Sequence, residues 1–168
     1  RQRVGYLEQL ADQDALAPVL NRRAFVRELS RMAAFEERYG PAGSVLYFDV
    51  NGMKAINDTH GHAAGDAVLK QVSEALLRET RASDVVGRLG GDEFGVILAQ
   101  SGLDMAADKA ARLAEAIAAE EVVWEGQPLR VTVAFGAHAL SSGQRADDAL
   151  KAADEAMYAN KRSGREST

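Results

Sequence analysis

Val85-Val86-Gly87-Arg88-Leu89-Gly90-Gly91-Asp92-Glu93-Phe94-Gly95-Val96-Ile97-Leu98 reads as two apolar strands, Val85 to Leu89 and Phe94 to Leu98, joined through a glycine pair. Glycine tolerates the positive φ of a tight turn, so a β-hairpin is expected with Asp92 and Glu93 at its tip. Upstream, Ser44 to Val50 is a short run rich in strand formers, and its length favours a buried strand over a helix. Asp49 stands at its end.

Helical patterns surround these strands. Asn21 is a favourable N-cap, after which Phe25, Leu29 and Met32 recur at helical spacing until Gly40-Pro41 stops the helix. Following a glycine-rich segment, Val68, Val72, Ala75 and Leu76 mark a second long helix running to about Ser83. Met105, Leu113 and Ile117 give a third, and strand candidates Val122 to Trp124 and Leu129 to Ala137 flank Gly126-Gln127-Pro128. A last helix runs from about Ala146 to Arg162. The order predicts an α+β fold with helices covering a mostly antiparallel sheet. Val4, Leu7 and Ala11 also stand at helical steps, so residues 1–14 read as a short helix or coiled-coil end ahead of one domain over residues 15–168.

The 168 residues, 46% hydrophobic and 27% charged, suit a single soluble domain with its own core rather than a disordered or fibrous chain. Without cysteine, disulfides, thiolate metal sites and cysteine nucleophiles are excluded together. A net charge of −5 argues against nucleic acid as partner, which calls for a basic face. No apolar run approaches the roughly 20 residues needed to cross a bilayer, so no membrane contact by this domain and a cytoplasmic location are expected. The chain begins at Arg1, which leads us to expect a preceding regulatory or anchoring region, with residues 1–14 the remnant of the connection.

Asp49 and Asp92 each read singly as a cap or turn residue. Were the hairpin to lie beside the first strand, the two could share a hard divalent cation, with phosphates and backbone carbonyls completing its shell. Magnesium, or manganese, is the natural candidate. His60 and His62 lack a third ligand at zinc spacing, and His62 reads as a packing or hydrogen-bonding residue.

The string Arg88-Leu89-Gly90-Gly91-Asp92-Glu93-Phe94 resembles the signature of the GGDEF domains, the diguanylate cyclases, and the likeness extends from about Asp14 to Arg165 through several motifs in the family's order. It implies a five-stranded sheet wrapped by helices, like the palm of nucleotide cyclases and polymerases. The stretch Phe48 to Asp58 resembles the family's nucleotide-binding segment, and Gly61 to Asp66 its Gly-His-x-x-Gly-Asp. By resemblance Asp49, Asp92 and the carbonyl of Val50 hold metal, Lys54 reaches the triphosphate, and Asn57 and Asp66 read guanine. A carboxylate accepts from the N1 and N2 donors of guanine, a pair that adenine does not offer. Met157 to Arg165 resembles the family's final helix, in which Lys161 and Arg165 match the clamp on the β- and γ-phosphates. Glu93 would assist as ligand or base.

Arg81-Ala82-Ser83-Asp84 matches the family's inhibitory Arg-x-x-Asp site, with Arg112 completing it from a neighbouring subunit. The resemblance therefore implies two GTP joined into cyclic di-GMP at a homodimer interface, with feedback by the product; a silent module that binds GTP or cyclic di-GMP is the alternative. The chain departs from the family at Ala17-Pro18, where Thr-Gly is usual, at Gly52-Met53, and at Asn51, a position often held by Asp.

Overall fold

A computed structural model describes residues 11–41 and 43–166, with side chains as far as residue 162. The expected helix over residues 1–14 lies largely outside the described residues. Among the described residues five helices, α1 (Arg22–Tyr39), α2 (Met53–His60), α3 (His62–Arg78), α4 (Leu103–Ala119) and α5 (Ala146–Glu166), accompany six strands. These are β1 (Gly43–Val50), β2 (Val85–Arg88), β3 (Glu93–Ala99), β4 (Val122–Trp124), β5 (Gln127–Leu129) and β6 (Val133–Ala139).

The main sheet is four-stranded, in the order β2-β3-β1-β6, and every pairing is antiparallel. β4 and β5 form a separate ribbon. Five strands in one sheet were expected, and the difference lies in the run Leu129 to Ala137. It divides between β5 and β6, with residues 130–132 outside both, and the Thr132 carbonyl accepts the Asn51 N–H at 2.8 Å. Leu20 adds one parallel bridge to Gly87, its N–H donating to Val86 and its carbonyl accepting from Arg88. That contact covers part of the otherwise open β2 edge.

Side chains alternate across the sheet, as the two-residue period of a strand requires. Leu46, Phe48 and Val50 of β1, with Phe94, Val96 and Leu98 of β3, pack beneath α3 and α4. Val45 and Tyr47, with Ile97, join Phe25 and Leu29 of α1 and Ala149, Leu150 and Ala153 of α5 on the other face. Asp49 continues the second set and so ends beneath α5.

Helix starts and stops follow local chemistry. The Asn21 side chain accepts from the Ala24 N–H, capping α1, and Gly40 ends it by donating to Glu36. The glycine-rich segment is more helical than its composition suggests. Gly52, at φ 81°, admits α2, and Gly61, at φ 92°, separates α2 from α3. α3 ends at Arg78, short of the expected Ser83.

Gly136 in β6 sets how closely α5 sits on the sheet, because a Cβ there would lie 2.1 Å from the Met157 nitrogen and 2.7 Å from the Ala153 carbonyl oxygen. Backbone cannot rotate aside as a side chain can. Gly136→Ala should lower the unfolding free energy by about 3 kcal/mol, read as a fall in urea midpoint. An unchanged midpoint would contradict this seating.

Candidate active site

The register of β1 against β3 places Asp49 opposite Glu93, and the Val50 N–H donates to the Asp92 carbonyl at 2.9 Å. Opposed residues of an antiparallel pair point to the same face. Asp49 and Glu93 therefore share one face, and Asp92 adjoins them at the same end of the central strands, as expected if the hairpin lies beside the first strand.

Their charges crowd one another. Burial pushes the Asp49 carboxyl above its ordinary value; Glu93, Asp92 and Asp154 push it further, and the Lys161 ammonium opposes them. Tyr47, two residues earlier on the same face, is also pushed up, first by burial and then by the adjoining Glu93 carboxylate. The site is thus rich in oxygen and negative charge, which suits a hard cation. Among the described residues no three His, Cys, Asp or Glu side chains are arranged to hold a metal ion by themselves. Ligand oxygens would have to supply the remaining shell.

Two arginines hold the signature turn from outside. Arg88 donates through Nε to the carbonyls of Gly90 and Gly91, each at 3.2 Å, and through Nη2 to Gly91 at 2.9 Å. Its Nη1 reaches Asp14 Oδ2 at 3.1 Å, while Arg22 donates to the Leu89 carbonyl. Asp14 also accepts from the N–H groups of Leu16 and Ala17, each at 2.9 Å. Burial is the largest single influence on Asp14 and raises it, yet these hydrogen bonds and Arg88 together hold its carboxyl below the usual range.

Neither Gly90 nor Gly91 takes the positive φ anticipated for the hairpin turn. At Gly90 a Cβ would lie 2.6 Å from Glu93 Oε1, the end of a side chain that can swing aside. Gly65 is similar, since a Cβ there would lie 1.9 Å from Asn57 Oδ1. That close seat joins the start of α3 to α2, bringing Asn57 near the residue that precedes Asp66. Asn57 Oδ1 is buried with no hydrogen-bond partner. Asp66 and Lys54 are exposed, as is His62, which therefore does not serve as a packing residue. Lys161 is half-buried beside Asp49; Arg165 continues α5, and its side chain lies outside the described residues.

At the other end of the hairpin, a cleft of about 230 Å³ is lined by Arg81, Asp84, Met105, Lys109 and Arg112. Arg112 lines the Arg-x-x-Asp cleft of its own chain. Asp84 is heavily engaged. Its side chain is 1% exposed, one oxygen accepting from the Arg81 N–H at 2.9 Å and the other from the Ala99 N–H at 3.3 Å. The Arg81 guanidinium, 65% exposed, is the freer partner for a ligand.

Sequence reasoning missed Asp154, Tyr47 and Lys109. Asp154 precedes Lys161 by two helical turns on one face, and Lys109 precedes Arg112 by one; these spacings were the available signals. Arg88 and Asp14 stand inside recognisable motifs, but nothing in the sequence pairs them.

Residues 11–167 match the family model described as "Diguanylate cyclase, GGDEF domain". The chain is 34% identical to the probable diguanylate cyclase DgcE of Escherichia coli K12 over 98% of its length and 15% of that protein. It is 35% identical to the diguanylate cyclase DgcP of Pseudomonas aeruginosa, covering 94% of this chain and 24% of the relative. The chain therefore spans less than a quarter of either. Among solved structures, the coiled coil and GGDEF domain of DgcB from Caulobacter crescentus, in complex with c-di-GMP, superposes with a TM-score of 0.90 at 26% identity, over 98% of this chain and 87% of that one. A sensory box/GGDEF family protein from the same species gives 0.83 at 34% identity, covering 90% and 99%.

The crowding at Asp49 has a thermodynamic sign. Its carboxyl titrates higher in the folded protein than in the unfolded chain, so the associated stability is present at low pH and lost as pH rises through the folded value. Asp49→Asn should therefore be more stable than the parent at pH 7 without divalent cations, and this advantage should shrink towards about pH 4. Urea unfolding at both pH values tests this, and a less stable variant at pH 7 would contradict it.

Proposed function

The chain belongs to the GGDEF domain family, and from that membership we propose that it is a diguanylate cyclase, condensing two GTP into cyclic di-GMP and two pyrophosphates. The observation carrying the reading furthest is the cross-strand pairing of Asp49 with Glu93, with Asp92 tied by its carbonyl to Val50. Magnesium or manganese suits this donor set of hard oxygens, held by Asp49, Asp92 and the Val50 carbonyl. When bound, such a cation neutralises charge on the phosphates and favours ionisation of the attacking hydroxyl.

The protein's own groups then divide the remaining work. Lys54, Lys161 and Arg165 bind the triphosphate as fixed positive charges. Asn57 and Asp66 orient guanine, the Asp66 carboxylate accepting from its N1 and N2 hydrogens. Arg88 and Arg22 keep the signature turn in place while Glu93 serves as ligand or base. The 3′-oxygen of one GTP attacks the α-phosphorus of the other, and the bond from α-phosphorus to the α–β bridging oxygen breaks. Pyrophosphate leaves with that oxygen, and the hydroxyl proton passes to a base or solvent. A second, symmetric step closes the ring.

Each subunit contributes one nucleotide, so a homodimer with two-fold symmetry is required, transient or stable. A preceding regulatory region would act by raising the effective concentration of two domains. A cytoplasmic location supplies GTP. Cyclic di-GMP would return to the Arg81, Asp84 and Arg112 cleft as a feedback inhibitor. The exposed Arg81 guanidinium and Lys109 favour a phosphate or guanine edge there, whereas Asp84 chiefly holds Arg81 and the β3 end in place.

Incubating the protein with GTP and magnesium at high protein concentration should yield cyclic di-GMP. Binding without product would favour a silent module instead. Asp92→Ala should lower turnover by about 100-fold or more. Mass analysis of products from GTP and ATP should show Asp66→Ala losing guanine preference or affinity. Arg81→Ala should raise the product concentration giving half inhibition by about tenfold while leaving initial turnover largely unchanged; unchanged inhibition would rule out that site.

A further inference from the structure

The turn that carries the chain from β1 into α2 is Asn51-Gly52, the one Asn-Gly step in the sequence. An asparagine side chain can be attacked by the backbone nitrogen of the residue that follows it, and glycine obstructs that attack least because it has no side chain. Whether the ring closes in a folded protein depends on how the fold holds these few atoms.

Here the fold leaves them free. Gly52 is exposed, and a Cβ built on it would meet nothing within 4 Å, so the turn is uncrowded on that side. The hydrogen bonds of α2 begin with the Ile56 N–H, which donates to the Gly52 carbonyl at 3.1 Å. Among the described residues the Gly52 N–H itself meets no acceptor, so no bond has to break before its nitrogen can attack. The Asn51 side chain is half-buried and tied only through Nδ2, to the Thr132 hydroxyl at 3.1 Å.

The other asparagines are held differently. Asn57 and Asn160 stand inside α2 and α5, where the N–H of the following residue is engaged along the helix. Asn21 is followed by Arg22, and both ends of its amide are bonded, Nδ2 to the Ala11 carbonyl and Oδ1 to the Ala24 N–H.

We propose that Asn51 is a site of spontaneous deamidation through a cyclic imide with Gly52. Base from solvent removes the Gly52 amide proton, and the nitrogen bonds to Asn51 Cγ. The Cγ–Nδ2 bond breaks, and Nδ2 takes a proton from water and leaves as ammonia. Water then opens the ring. Breaking the new bond from nitrogen to Cγ gives aspartate, whereas breaking the original peptide bond gives isoaspartate, whose main chain runs through Cβ and Cγ and is longer by one carbon. Either product replaces the Nδ2 donor to Thr132 by a carboxylate, which cannot donate, and places a new negative charge two residues after Asp49. Isoaspartate also lengthens the link from Asp49 to α2. This chemistry is independent of the reaction proposed for the nucleotide residues.

The test is warm incubation of the chain at mildly alkaline pH, followed by digestion and mass spectrometry of the peptides carrying each asparagine, with the guanidinium-unfolded chain incubated alongside. The Asn51 peptide should gain about 1 Da and separate into aspartate and isoaspartate forms, the second a substrate for an isoaspartyl methyltransferase. Its rate should exceed those of the Asn21, Asn57 and Asn160 peptides by about tenfold or more, and should lie within about tenfold of its own rate in the unfolded chain. Asn51→Gln, which would have to close a larger ring, should gain no mass at this position over the same period. A smaller excess over the other asparagines, or a rate more than about tenfold below that of the unfolded chain, overturns the proposal. Both comparisons use the unaltered protein, so they decide the matter even if Asn51→Gln fails to fold.

Discussion

The antiparallel pairing of β1 with β3 is the constraint on which the molecule depends. It is the central contact of the sheet, and its register decides which residues share the proposed catalytic end. A shift of one residue would move Asp49 from the α5 face to the α3 face and separate it from Glu93. The alternation of apolar side chains prevents such a slip, because it would bring Asp49 among the buried residues that now include Phe48 and Val50. The core therefore specifies the position of the charged residues without touching them chemically.

That arrangement sets stability against function. Glu93, Asp92 and Asp154 each disfavour the charge of Asp49, and Lys161 offers the opposing charge felt there. Acidic groups kept close against their electrostatic preference are a common feature of sites that use a cation. The surrounding hydrogen bonds keep the turn from relaxing. Arg88 grips two carbonyls of the turn and is itself gripped by Asp14, whose remaining bonds lie in the segment before α1. Chain entering the domain and the proposed catalytic turn are consequently parts of one hydrogen-bonded unit.

Much of this was legible in the residues. The Asn21 cap, the two hairpin strands and the Asp49 strand are local patterns, and each lies close to its expected bounds. The convergence of Asp49 with the hairpin also followed from the motifs. What escaped were relations between distant segments. Nothing local indicates that Asp14 meets Arg88, that Asp154 acts on Asp49 or that Arg112 lines one cleft with Arg81. Local reading also misjudged the turn glycines, since composition suggested a positive φ that neither Gly90 nor Gly91 adopts. The segment holding Asn57 is rich in polar residues and glycine, yet it forms α2 because Gly52 and Gly61 stand at its ends and leave its interior free to coil.

The central claim is that Asp49 and Asp92 grip a cation together with a purine triphosphate, and paramagnetic broadening of backbone amides by substoichiometric Mn²⁺ tests it most directly. With a non-hydrolysable GTP analogue present, the amides of Val50, Asp92 and Glu93 should broaden first, and without the analogue far less, since the protein alone does not complete the shell. Broadening centred elsewhere, or none at these residues with the nucleotide bound, would contradict the account.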